Sequence, residues 1–264
     1  MSDLNILIVE GNNPKDSEVF IKAAKASCSE NFKNIVIDLE PSSKITIINP
    51  ANDNETKGAL ENMSQYDGII FTGGAMRLND MTDEIKKHIN FASNCFKYEN
   101  KILAVCWGLQ VCSTAAGGKV VPAKNGAHIG IAIDVEINEN GKNNPIYKNK
   151  KHKFNTPAFN FDEVIELPKG ATLLASDKVN NNMGVYFKSG KSEIWGLQYH
   201  PDYEYWQMIN LSNARIGKMI TNNYFKNEEI FKKHIDLIKS EEKKLDFVNK
   251  TYEIRNWLDI IKIS

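Results

Sequence analysis

Arginine is nearly absent from this chain of 264 residues: Arg77, Arg215 and Arg255 stand beside 30 lysines, and the 33 basic side chains are matched by 33 acidic ones. A neutral total with so few guanidinium groups gives no concentrated basic surface, which disfavours nucleic acid as a partner. Cysteine is scarce too. Cys28, Cys95, Cys106 and Cys112 form no Cys-x-x-Cys pair and have no histidine at zinc-finger spacing, so neither a disulfide framework nor a structural metal is implied, and a reducing cytoplasm fits best. No uncharged apolar run approaches ~18 residues. The start Met-Ser-Asp-Leu-Asn lacks the basic and long apolar regions of a signal peptide, so the expectation is of a protein neither exported nor membrane-spanning.

What is present alternates. Short apolar runs at Ile6 to Val9, Ile45 to Ile48, Ile69 to Phe71 and Ile102 to Val105 read as buried strands. Between them lie segments of helical spacing such as Asp16 to Ala26 and Met81 to Phe96. That order argues for a parallel sheet covered on both sides. After Gly117-Gly118 strand-like pieces follow at His128 to Ile137, Thr172 to Ala175, Met183 to Phe187 and Ile194 to Gln198, a half expected to be antiparallel or mixed. From about Tyr205 the pattern is helical, with Ile230, His234, Ile235 and Ile238 on one stripe and Lys239 to Lys244 as an exposed face. From Trp206 onward the tail has 11 basic and 8 acidic side chains, a net of +3 balanced by −3 in the body.

The most informative stretch is Lys101-Ile-Leu-Ala-Val-Cys106-Trp-Gly-Leu-Gln110, a buried strand running into a cysteine, a tight turn and a helix. This is the form of a nucleophile elbow, which needs small neighbours such as Ala104 and Gly108 and projects its side chain above the sheet. The helix beginning at Trp107 aims its free N–H groups at the sulfur. An ordinary buried thiol is the lesser alternative for this stretch taken alone. A second strand, Ile194 to Gln198, ends in Tyr199-His200-Pro201-Asp202, placing an imidazole and a carboxylate where active sites of open α/β sheets collect. His200 would take and return the thiol proton while Asp202 orients the ring. His88, His128, His152 and His234 have no comparable sequence partner and read as structural or solvated. The run Asp67-Gly-Ile-Ile-Phe-Thr-Gly73-Gly74 ends a strand in paired glycines, which suits an oxyanion hole or a plain turn.

These motifs resemble the class I glutamine amidotransferases, in particular free-standing members similar to the amidotransferase domain of GMP synthase. The resemblance rests on Asp67 to Gly74, Cys106-Trp-Gly-Leu-Gln110, Asp162-Glu-Val-Ile-Glu-Leu-Pro-Lys-Gly170, Leu174-Ala-Ser176 and Trp195-Gly-Leu-Gln-Tyr-His-Pro201, in the family's order. It implies a three-layer, flavodoxin-like open sheet, mixed but mostly parallel, with helices on both faces. Residues 1–225 would form this domain and 226–264 a helical C-terminal extension. The implied reaction is hydrolysis of the γ-amide of glutamine, or of a γ-glutamyl amide, through a γ-glutamyl thioester. Cys106 would be the nucleophile, His200 the base and then acid, and Asp202 the third triad member. Trp107 with Gly73 and Gly74 would form the oxyanion hole, while Gly108, Gln110, Asn160 and Tyr199 would bind substrate. No metal or organic cofactor is needed for this half-reaction.

Three positions depart from the family's pattern. Ala104 replaces a glycine, Asp202 a glutamate, with Glu204 nearby as a substitute, and Asn160 a histidine of a Ser-His-Gly-Asp type loop. The chain has no Walker-type loop, so any acceptor chemistry would belong to a synthetase partner. A stand-alone γ-glutamyl peptide or amine hydrolase keeps the same mechanism, and a catalytically silent binding protein is the reading from another class. The tail could lie back on the body, build a homodimer or dock a synthetase.

Overall fold

In the computed structural model, which describes residues 3–263, the first half alternates as the apolar runs predict. It comprises β1 (Asn5–Val9), α1 (Pro14–Ala24), α2 (Cys28–Leu39), β2 (Lys44–Ile48), α3 (Asp53–Glu61), β3 (Gly68–Phe71), α4 (Asp83–Cys95), β4 (Lys101–Val105) and α5 (Trp107–Ala115). The middle is strand-rich: β5 (Lys119–Pro122), β6 (His128–Ile129), β7 (Ala132–Ile137), the one-turn α6 (Glu139–Lys142), β8 (Lys153–Thr156), β9 (Phe159–Asn160) and β10 (Asp162–Glu166). Next come β11 (Thr172–Ser176), β12 (Gly184–Ser189) and β13 (Ser192–Leu197), then α7 (Tyr205–Asn213), α8 (Ile216–Thr221), α9 (Glu228–Glu242) and α10 (Phe247–Lys262).

Local chemistry sets the helix ends. Asn13 caps α1 by accepting from the Asp16 N–H, Pro14 opens the first turn, and Lys25 ends the helix in the left-handed region at φ 65°. Ser27 and Glu30 form a reciprocal capping box on α2. The expected single strand from His128 to Ile137 is broken instead. Gly130, at φ +83°, turns the chain so that β6 pairs with β9 while β7 joins the main sheet. Alternating hydrophobicity on either side of such a glycine does not reveal the change of sheet.

The main sheet runs β2-β1-β3-β4-β13-β12-β11-β7-β8. The pairings from β2 through β13 are parallel and those from β13 through β8 antiparallel. Residues on β1, β3 and β4 alternate between two cores: Ile6, Ile8, Ile70, Leu103 and Val105 face one, Leu7, Val9, Ile69, Ile102 and Ala104 the other. Phe32 of α2 and Trp257 of α10 cover the first, and Ile85 and Phe91 of α4 the second. This is the three-layer α/β architecture expected.

The tail is built into this core. Ile254, Trp257, Leu258 and Ile261 pack with the β-strand residues, and a Cβ at Gly68 of β3 would come within 2.7 Å of the Trp257 ring. Glu253, wholly buried, accepts from the Tyr199 hydroxyl at 2.6 Å and pairs with Lys150 at 3.0 Å. On α9 the buried stripe is Phe231, Ile235 and Ile238; Ile230, expected on that stripe, is 42% exposed. One residue of phase separates the two readings. A chain cut before Asn227 is therefore expected to lose its cooperative thermal transition. Each large buried side chain removed is worth ~2–5 kcal/mol, against a total stability of ~5–15 kcal/mol. Circular dichroism melts of the shortened protein check this, and a soluble fragment with an unchanged transition contradicts it.

Candidate active site

The strand register brings the site together. Phe71 of β3 lies opposite Ala104 of β4, and Val105 opposite Leu197 of β13, so three neighbouring parallel strands end at one edge. Gly73-Gly74, Cys106 and His200 leave the sheet there, at the carboxyl ends where crevices form. Cys106 adopts φ 52° and ψ −105°, a conformation that a side-chain-bearing residue rarely takes. Its N–H donates to the Leu197 carbonyl at 2.7 Å, and the Gly108 N–H to that of Thr72 at 3.0 Å, which hold the elbow between both neighbours. Ala104 is fully buried beside Gly196, and its methyl is accommodated without opening the strands.

Gly108 does not reach the cavity. Its Cα lies so close to β3 that a Cβ would stand 2.3 Å from the Phe71 carbonyl, and its N–H is used by Thr72. It is a packing requirement of the elbow rather than a substrate contact. The Trp107 N–H, the first of α5, has no partner within the helix and is the one left for an oxyanion. Gly73 sits directly against the imidazole, where a Cβ would fall 2.6 Å from His200 Cε1. Gly74 is equally confined, by the Gly11 carbonyl at 2.5 Å. Gly73→Ala is accordingly expected to displace the ring and lower kcat/KM by roughly 10²- to 10³-fold, within the range that a positioned general acid–base supplies. Steady-state assays on the folded variant check it, and activity near that of the unmodified protein refutes the close approach.

His200 Nδ1 lies 3.1 Å from Asp202 Oδ1, and both side chains are buried. Asp202 reaches the ring despite being one methylene short of the family's glutamate. Its Oδ2 has no hydrogen-bond partner among the described residues. Glu204 is turned away, its carboxylate held by Lys250 Nζ of α10. Burial pushes the His200 imidazole down, but the Cys106 sulfur and the Asp202 carboxylate outweigh it and raise the ring to about 10. The other three cysteines are fully buried, and burial drives each thiol well upward, Cys28 also through Glu10 and Cys112 also through Cys95. Among the described cysteines only Cys106 lines the cavity.

That cavity, of about 660 Å³, is bounded by Cys106, Trp107, Gln110, Asn160 and His200, with walls from α1, α7 and α8. Gln110 Nε2 donates to the Asp162 carbonyl at 3.0 Å and Gln198 Oε1 at 3.3 Å, which leaves its own Oε1 to accept from a ligand. Asn160 Nδ2 donates to the same Asp162 carbonyl at 3.0 Å, and its Oδ1 faces His128 Nδ1 at 2.7 Å. Tyr199 does not reach the cavity: fully buried, it bonds Glu253 and Tyr147 on the α10 side of the sheet.

Sequence reasoning missed several contributors. His128, expected to lack a partner, is buried between Asn160 and Asp177, its Nε2 2.7 Å from Asp177 Oδ2, and so braces the β9 loop. Arg77 makes a two-pronged pair with Asp162. Phe20 and Arg215 line the cavity from segments with no motif of their own, and Phe159 and Phe161 line it from either side of Asn160. His88, by contrast, is a core residue, which burial pushes down to about 4. Among the described residues no cluster of three His, Cys, Asp or Glu could hold a metal ion, and no helix is long and apolar enough to cross a membrane.

An open sheet with a cysteine elbow at the end of one central strand and a His–carboxylate pair at the end of its neighbour has the layout of a thiol-dependent acyl-transfer site. The chain belongs to the class I glutamine amidotransferases, whose family model matches residues 22–207. Over 284 aligned positions it is 28% identical to the gamma-glutamyl-L-1-hydroxyisopropylamide hydrolase of a Pseudomonas species, covering 100% of this chain and 95% of that protein. It is 29% identical over 168 residues to a glutamine-hydrolyzing GMP synthase subunit from Methanococcus vannielii, 63% of this chain and 76% of the relative. To gamma-glutamyl peptidase 5 of Arabidopsis thaliana it is 32% identical over 148 residues, 54% and 56% of the two chains. A glutamine amidotransferase structure from Thermotoga maritima superposes over 100% of both chains with a TM-score of 0.69 at 19% identity, a likeness of fold.

Proposed function

We propose that this protein is a stand-alone hydrolase of substituted γ-glutamyl amides, with Cys106, His200 and Asp202 as its triad. The observation that carries this reading is the cavity beside His200. It continues past the imidazole to Phe20, Met208 and Leu211, an apolar space for which an ammonia leaving group has no use. The similarity to a gamma-glutamyl-L-1-hydroxyisopropylamide hydrolase over 100% of this chain supports the same choice.

In this mechanism the Cys106 thiolate attacks the γ-carbonyl carbon. The Trp107 N–H and an N–H of the Gly73-Gly74 turn receive the oxyanion. The protonated His200, oriented by Asp202, gives its proton to the amide nitrogen as the C–N bond breaks, and the free amine departs. Water then attacks the thioester with His200 accepting its proton, glutamate leaves, and the thiolate–imidazolium pair is restored. Gln110 Oε1 is placed to accept from the glutamyl ammonium group. Purified protein assayed with glutamine and with a panel of γ-glutamyl alkylamides and dipeptides is expected to favour a substituted amide. Faster turnover of glutamine than of every substituted amide would instead favour an ammonia donor working with a synthetase.

A further inference from the structure

Around the nucleophile the cavity has two ends. Gln110, Asn160 and Asp162 gather at one through their shared carbonyl contact. The other is reached from His200 through aromatic contacts: His200 stacks edge-on with Tyr203 at 5.0 Å, and Tyr203 with Phe20 at 6.5 Å. Because His200 must hand its proton to the departing nitrogen, the leaving amine projects into this second end.

Arg215 stands there, at the start of α8. Its guanidinium lies 5.1 Å from the centroids of both the Phe20 and Phe159 rings, and Phe159 also presents its carbonyl 3.6 Å from Cys106 Sγ. Both contacts are of the cation–π type. Yet no hydrogen bond or ion pair occupies its N–H groups among the described residues. Asp16 of α1 and Lys218 of α8 line the same cavity, and Asp16 is not within ion-pair distance. Arg77 differs, since its Nε and Nη2 are both paired with Asp162. Burial disfavours the Arg215 charge, so a partly desolvated, sandwiched guanidinium with its donors unused is a preorganised receptor for an oxyanion ligand.

We infer that Arg215 determines leaving-group specificity by binding a carboxylate carried on the departing amine, so that the preferred substrates are γ-glutamyl amino acids or short γ-glutamyl peptides with an apolar side chain. The inference rests on the γ-glutamyl amide hydrolase reading and narrows it. Phe20, Phe159 and Leu211 supply the apolar wall, and the guanidinium supplies the charge. Among the lining residues at this end Arg215 and Lys218 set two cations against the one carboxylate of Asp16, so the balance of charge favours an anionic group on the amine.

Matched substrates test it: γ-glutamyl-leucine against γ-glutamyl-leucinamide, and γ-glutamyl-leucyl-glycine against its C-terminal amide. For at least one pair the acid is expected to have a kcat/KM roughly 10- to 100-fold above the amide, the size of a charge-assisted contact. Arg215→Met should collapse that ratio towards one, with circular dichroism verifying the fold, and Arg215→Lys should restore part of it. Free leucine should likewise inhibit the unmodified protein more strongly than leucinamide, a comparison that needs no variant. Ratios near one in the unmodified protein, equal inhibition by the two amines, or a ratio that survives Arg215→Met would overturn the inference and leave the amidase reading standing. Failure to hydrolyse any γ-glutamyl amide would overturn both.

Discussion

Cys106→Ala is expected to lower turnover of γ-glutamyl amides by about 10⁶-fold, the scale on which loss of a nucleophile removes covalent catalysis, while the thermal transition stays within a few degrees. The substitution removes one sulfur atom from the rim of the first core, and among the described residues that sulfur's hydrogen-bond contact is to the Phe159 carbonyl at 3.6 Å. The strained φ of 52° belongs to the elbow and is kept by the bonds of Cys106 N–H to Leu197 and Gly108 N–H to Thr72. Substituting the wholly buried Cys28, Cys95 or Cys112 should change stability more than activity. Steady-state kinetics with calorimetry separates the two effects. Residual turnover at the rate of the unmodified protein would remove Cys106 from the chemistry.

Asp202→Asn should be next in severity, with kcat falling by up to about 10⁴-fold, as when a triad carboxylate is replaced by an amide that favours the wrong imidazole tautomer. The pH dependence gives this prediction its sign. Asp202 is one of the groups that raise His200 to about 10. The protonated ring is needed to release the amine, so activity is present below that value and is lost as pH rises through it. Taking away the carboxylate lowers the imidazole, and the basic limb of kcat/KM must move to lower pH. Glu204→Gln serves as the control, because that carboxylate is held by Lys250 and not by His200. A larger loss in Glu204→Gln than in Asp202→Asn would reverse the assignment.

Much of the chemistry is legible in the sequence because it sits on contiguous motifs. The elbow can be read from a buried strand meeting a cysteine and small residues, and His200 from its place at a strand end. The parallel order of β1, β3 and β4 follows from unbroken apolar runs, which only a sheet covered on both faces requires. What escapes such reading are relations between distant segments. Nothing near His128 announces Asp177 or Asn160 as its partners, because the three meet only when β6 pairs with β9. Tyr199 is expected at the substrate on the resemblance alone. Just past the end of β13 its side chain turns to the α10 side of the sheet and ends against Glu253. Arg215 has no motif at all, and its meaning comes from the rings that enclose it.

Every substrate is expected to pass through one γ-glutamyl thioester on Cys106. Partitioning between water and added hydroxylamine tests it most directly. With a series of γ-glutamyl amides differing only in the leaving amine, the ratio of γ-glutamyl hydroxamate to glutamate is expected to be constant at a given hydroxylamine concentration, because the amine has left before the ratio is decided. A ratio that varies with the leaving amine would contradict a common acyl-enzyme.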